Sequence, residues 1–137
     1  MPNYPGTLNS ATVSPVPSNG MGIGDSLLLF SAEQPAAPQA SISFTPMFTN
    51  TEYAPAFTFE VLFSGAPGAF SLTIQEADTD ADIFYIVPTN AAYTLNAVSG
   101  NQVVRSDLIP FGGRFGRVNL VSRANGVNIT VRVTRVA

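Results

Sequence analysis

FTFEVLF at Phe57–Phe63, the turn SGAPG at Ser64–Gly68 and FSLTIQE at Phe70–Glu76 decide the class of fold. In the first run Phe57, Phe59, Val61 and Phe63 alternate with Thr58, Glu60 and Leu62. In the second, Phe70, Leu72 and Ile74 alternate with Ser71, Thr73 and Gln75. A hydrophobic period of two describes a strand that buries one face. If the pair closes as a symmetric hairpin, Phe63 faces Phe70, Val61 faces Leu72 and Phe59 faces Ile74, so the two apolar faces coincide. This hairpin is expected to form the core.

The same grammar extends in both directions. Short apolar-alternating runs separated by Gly, Pro, Asn and Asp predict eight or nine strands. Besides the central pair they are Ser26–Ala32, Ser41–Thr49 (interrupted by Pro46 and so an edge or bulge), Ile83–Val87, Tyr93–Val98, Gln102–Ile109, Arg114–Ala124 and Val127–Val136. Asn125-Gly126 between the last two is a two-residue hairpin signal, because both central residues must tolerate positive φ. In that register Val118 opposes Val133 and Leu120 opposes Val131, while Arg117, Asn119, Arg132 and Thr134 share the other face. No stretch carries helical periodicity over ten residues, and no fixed-period repeat occurs. The expected fold is all-β, a two-sheet antiparallel sandwich of jelly-roll type. An immunoglobulin-like topology is the alternative, although its Cys-Trp-Cys hallmark is missing.

Residues 1–24 differ. Pro2, Pro5, Pro15, Pro17, Gly6, Gly20, Gly22 and Gly24 lie among Ser, Thr and Asn without apolar periodicity, which predicts an extended N-terminal arm ahead of a sandwich domain at 25–137. Such an arm needs a surface to hold it, and a neighbouring subunit would supply one.

Composition narrows the function. Of 137 residues 9 are acidic and 6 are arginine, and Lys, His, Cys and Trp are absent. Ordinary domains devote about a quarter of their residues to charge, so much of this surface is expected to be covered by protein. Proton shuttling by His, attack by Cys and Schiff-base chemistry by Lys are all unavailable. The apolar runs are far shorter than the ~18 residues of a membrane span, and the opening MPNYPG lacks the basic and apolar regions of a secretory signal. A chain made and assembled in the cytoplasm is expected.

Charge is also unevenly placed: every base lies in 105–137, as Arg105, Arg114, Arg117, Arg123, Arg132 and Arg135, beside the single acid Asp107. Arginine pairs bidentately with carboxylates and stacks on aromatic rings, which suits interfaces. These side chains either pair with the acidic first part of the same fold or reach a partner.

Three motifs invite chemistry. Asp78, Asp80 and Asp82 alternate as at the start of a calcium loop, but Ile83 stands where that loop needs Gly and Thr89 where it needs Glu; a solvated acidic turn is the alternative. Glu60 and Glu76 could serve a glycosidase only if they converged, and their strand parity separates them. Gly112-Gly-Arg-Phe-Gly-Arg117 looks like a nucleic-acid segment, yet a sequence pI near 4.6 opposes phosphate; a turn leading into a strand is preferred. Tyr4, Tyr53, Tyr85 and Tyr93 offer stacking platforms for a sugar. No catalytic residue, cofactor or metal site is assigned, and neither nucleic acid nor membrane is expected as a partner.

The Pro/Gly-rich arm, the low-charge sandwich, the segment Thr73-Ile-Gln-Glu-Ala-Asp-Thr-Asp80 and the closing Gly113-Arg-Phe-Gly-Arg-Val-Asn-Leu-Val-Ser122 together resemble the capsid decoration, or cement, proteins of tailed bacteriophages. The resemblance implies a jelly-roll subunit on the outside of the virion capsid, bridging major capsid protein subunits. It also implies contacts through the six arginines and through Tyr4, Pro15 and Pro17 of the arm. Self-association as a dimer or trimer is expected as well. A carbohydrate- or receptor-binding virion module is the alternative function.

Overall fold

The computed structural model describes residues 20–47, 55–89, 91–97, 102–123 and 126–137. Nine strands lie among them: β1 (Ser26–Glu33), β2 (Gln39–Ala40), β3 (Ala56–Phe63), β4 (Phe70–Ala77), β5 (Thr94–Ala97), β6 (Val103–Arg105), β7 (Ile109–Pro110), β8 (Phe115–Arg123) and β9 (Ile129–Arg135). Two antiparallel sheets result. The first runs β1-β9-β3-β6, with β7 also paired to β3, and the second runs β2-β8-β4-β5.

The pairings nest: β1 with β9, β2 with β8, β3 with β6 and β7, and β4 with β5. That is one long chain hairpin with its tip between β4 and β5. Rolling it up adds the β3–β9 and β4–β8 contacts, which is the jelly-roll arrangement, and it encloses the core between two sheets. No helix among the described residues is long and apolar enough to cross a membrane.

The two expected hairpins do not form. β3 and β4 lie in opposite sheets, so Ser64–Ala69 is a crossing rather than a turn within a ladder. Alternation had identified the buried faces correctly, but it does not say what covers them. Paired side by side, the two apolar faces would still need a lid; placed in opposite sheets, each covers the other. Phe63 and Phe70 meet edge to face at 4.9 Å across the sandwich, where a ladder pair had been expected.

β8 and β9 likewise divide between the sheets. Val118 pairs with Ile74 and Leu120 with Leu72, while Val131 pairs with Val61 and Val133 with Phe59. The five residues separating Arg123 from Ile129 are enough to cross the ~10 Å between packed sheets. Asn125 itself lies outside the described residues. As a consequence Arg117 and Arg132 sit on opposite outer faces, not on a common one.

Three smaller expectations also change. Ser41–Thr49 yields only the isolated bridge of Phe44 to Gly116, with β2 preceding it; Thr49 lies outside the described residues. Ile83–Val87 is not a strand: Asp82–Phe84 forms a 3-10 turn and Ile86 makes a single bridge to Glu76. Gln102–Ile109 breaks into β6 and β7 around Ser106, which replaces ladder bonds with side-chain ones. Its hydroxyl accepts from the Phe59 amide at 2.9 Å, and its own amide donates to the Phe59 carbonyl.

The interior centres on Phe44, Phe57, Phe59 and Phe111, all enclosed, with Phe44 tilted against the other three, Phe57 edge-on to Phe111 and Phe59 stacked on Phe111, at centroid distances of 5.3–6.0 Å. Residues 20–24, expected within the arm, belong to the sandwich. Met21 joins the core, and Gly24 donates its amide to the Arg135 carbonyl. The remainder of the arm, with Tyr4, Pro15 and Pro17, lies outside the described residues.

Candidate functional site

The six arginines occupy five different environments. Arg135 is 4% exposed, and its guanidinium donates to the Met21 and Ala137 carbonyls. It is therefore a structural tie that closes the N-terminal segment onto β9, and the expectation that it contacts a partner is corrected. The signal was in the sequence, since Arg135 shares strand parity with the inward Val131 and Val133.

Arg105 on β6 and Arg132 on β9 flank Glu60 on β3, directly opposed on the outer face of the first sheet. Arg105 reaches Glu60 at 2.7 Å, and Arg132 bonds the other carboxylate oxygen. The hydrogen bond from Arg105 foremost, then that from Arg132, holds the Glu60 carboxyl below its usual 4.5. A depressed carboxylate pKa adds stability above about pH 4.5, and that stability is lost as pH falls through the lower folded value. Wild type should therefore lose urea resistance between pH 5 and pH 3 more steeply than Glu60→Gln; superimposable pH profiles would contradict the clamp.

Arg117 lies on the outer face of the second sheet. It donates to Gln75 at 2.8 Å and to Asp82 at 2.5 Å, and its guanidinium stacks 3.9 Å above the Tyr85 ring. Tyr85 donates to Asp80 at 2.7 Å, and Ser43 donates to the other Asp80 oxygen at 2.9 Å. Burial foremost, and then the Asp80 hydrogen bond, push the Tyr85 hydroxyl well above its usual range. Of the three acids that alternate in sequence, Asp80 thus serves Ser43 and Tyr85, and Asp82 serves Arg117. Tyr85→Phe should cost about 1 kcal/mol, the usual worth of one such bond, read from urea unfolding midpoints. An unchanged midpoint would place Asp80 outside this network.

The connection that this network pins presents a row of apolar side chains. Ile83 is 85% exposed, Phe84 53%, Ile86 62% and Val87 39%, while Tyr85 alone turns inward. Leu28, Leu62 and Val103 are similarly exposed around the Glu60 clamp. These apolar positions were not singled out in the sequence. The run from Ile83 to Val87 reads as a buried strand because continuous apolarity is the mark of one. Its bracketing by Asp82 and Pro88, which deny it a long ladder, was the available sign to the contrary.

Arg114 is exposed, 5.9 Å from the Phe115 ring, and Arg123 is half-buried at the far end of β8. The amides of Gly112 and Gly113, the anion-like cradle in the glycine-rich segment, both donate to the Glu76 carboxylate, at 3.1 and 2.6 Å. Glu60 and Glu76 lie in different sheets and do not converge. Tyr85 and Tyr93 are buried, with the Tyr93 hydroxyl donating to the Pro110 carbonyl, so neither offers an open stacking platform. Tyr4 and Tyr53 lie outside the described residues.

The expected alternatives for the arginines are thus divided. Arg105, Arg117 and Arg132 pair with acids of the first part of the same chain, at Glu60 and Asp82. The Arg105 and Arg132 side chains remain 68% and 51% exposed. No protein-family model matches the chain, and no curated protein matches it.

Proposed function

We propose that this chain is a structural subunit that works by contact, a decoration protein that binds the outer surface of a tailed-phage capsid and bridges its major capsid protein subunits. The observation that carries the proposal is the exposed apolar row Ile83, Phe84, Ile86 and Val87, held in place by the Arg117, Tyr85 and Asp80 bonds on a sandwich poor in charge. Contiguous apolar surface of that kind marks interaction sites on folded domains. Beside it lie the Ser43 and Tyr85 hydroxyls, the Gln75 amide, Asp80, Asp82 and Arg117, a polar border of the kind found at the rim of an interface.

Contact alone is sufficient for such a role. A subunit that buries about 1,500 Å² against its shell makes a standard specific interface, and repetition over a symmetric lattice multiplies the effect. The test is to add purified protein to capsids stripped of it. Binding should saturate at a fixed number of copies and raise the temperature at which the packaged genome is released. Removing residues 1–19 should lower both occupancy and heat resistance. If the full chain binds no shell, the proposal fails; if the truncated chain performs equally well, the arm has no part in it.

A further inference from the structure

Two surfaces of this chain are complementary to each other. The β4–β5 connection presents Ile83, Phe84, Ile86 and Val87 among Asp78, Asp80 and Asp82, with Arg117 the one base bonded there. The outer face of the first sheet presents Leu28, Leu62 and Val103 around Arg105 and Arg132, with Glu60 the one acid between them. The first surface is apolar with a negative surplus; the second is apolar with a positive surplus.

We infer that the β4–β5 connection of one copy docks on the outer face of the first sheet of a second copy, in a head-to-tail contact. Charge sets the orientation. A two-fold contact of connection with connection would bring two sets of carboxylates together, and a two-fold contact of face with face would bring two arginine pairs together. Like charges in register oppose both arrangements. The head-to-tail arrangement places Asp78 and its neighbours against the exposed side chains of Arg105 and Arg132, and lays Ile83 and Phe84 over Leu62 and Val103. Those last two residues are directly opposed on β3 and β6 and so form one continuous apolar strip.

The geometry has a consequence for stoichiometry. Each copy in a head-to-tail contact keeps one unused half of the interface, so growth continues past two subunits until a ring closes or an open chain forms. Self-association of this kind is read on the isolated chain and competes with a capsid for the row Ile83–Val87, so sedimentation tests it separately from binding to a shell.

Sedimentation over a concentration series tests it with three variants. Ile83→Ser/Phe84→Ser alters exposed side chains of the connection, and Arg105→Gln/Arg132→Gln neutralises the face. A second face variant, Leu62→Thr/Val103→Thr, keeps strand-compatible residues in case the first disturbs folding. Wild type is expected to exceed the mass of two subunits, with smaller species as salt rises. Either type of variant alone should run as a monomer. An equimolar mixture of a connection variant with a face variant should give two subunits and no more, because each restores the half that the other lacks. A wild-type chain that is monomeric throughout, a species that stops at two subunits, or a mixture that stays monomeric would overturn the inference.

Discussion

Replacing Gly116 by Ala is expected to cost about 3 kcal/mol, at the upper end of what overpacking a tight core usually costs, and Gly116→Val to leave little folded protein. A Cβ at this position would lie 2.5 Å from Phe111 Cε2 and 2.5 Å from Phe44 Cζ. Neither ring can step aside. Both are enclosed in the aromatic cluster with Phe57 and Phe59, and Gly116 is fixed to Phe44 by reciprocal amide–carbonyl bonds of 2.8 Å. The glycine is therefore required by the close approach of two rings to the β8 backbone. For a domain of ordinary stability, about 5–15 kcal/mol, the Ala variant should remain folded with a sharply lowered urea midpoint. A midpoint within error of wild type would mean that the rings do not cover this strand.

The second large effect belongs to the other side of the same contact. Phe44→Ala should lose about 3–5 kcal/mol, the range for deleting an enclosed aromatic side chain. Phe44 touches Phe57, Phe59 and Phe111, and the segment carrying it is attached to β8 through its bridge to Gly116 and through Ser41, which bonds Val118. Its removal thus leaves a cavity at the centre of the sandwich. The two variants should also be coupled: Gly116→Ala in a Phe44→Ala background should cost far less than it does alone, because the added methyl then fills space that the ring had occupied. Strict additivity of the two losses would contradict the packing described.

Legibility in the sequence followed from what alternation can encode. The inward faces of β3, β4, β8 and β9 were all correct, since a period of two fixes which side chains leave water. Which strand lies opposite was not encoded in the same way. In a jelly roll, neighbours in sequence face each other across the core more often than they share a ladder, and the short turns at Ser64–Gly68 and Asn125-Gly126 read as ladder turns for want of any signal about the second sheet. Phe44 was hard to place because Pro46 interrupts its run and its partner, Gly116, has no side chain to alternate. Arg135 was legible from parity and was nevertheless grouped with the surface arginines on account of its charge.

For the candidate surface, residue type was a better guide than pattern. The scarcity of charge anticipated an exterior with many apolar side chains, but not their position. The row from Ile83 to Val87 is exposed because Arg117, Tyr85, Asp80 and Ser43 hold the connection against the second sheet from below. That network joins residues up to 74 positions apart, and no local spacing rule reports it.

The measurement that bears most directly on the proposed role is the composition of purified particles of the phage to which the proposal assigns this chain, by quantitative mass spectrometry together with imaging of the shell. A contact subunit of the capsid exterior should be present at a constant, simple ratio to the major shell protein, with density above the junctions between shell subunits. Particles that lack the chain, or that carry it in amounts unrelated to the shell protein, would contradict a decorating role.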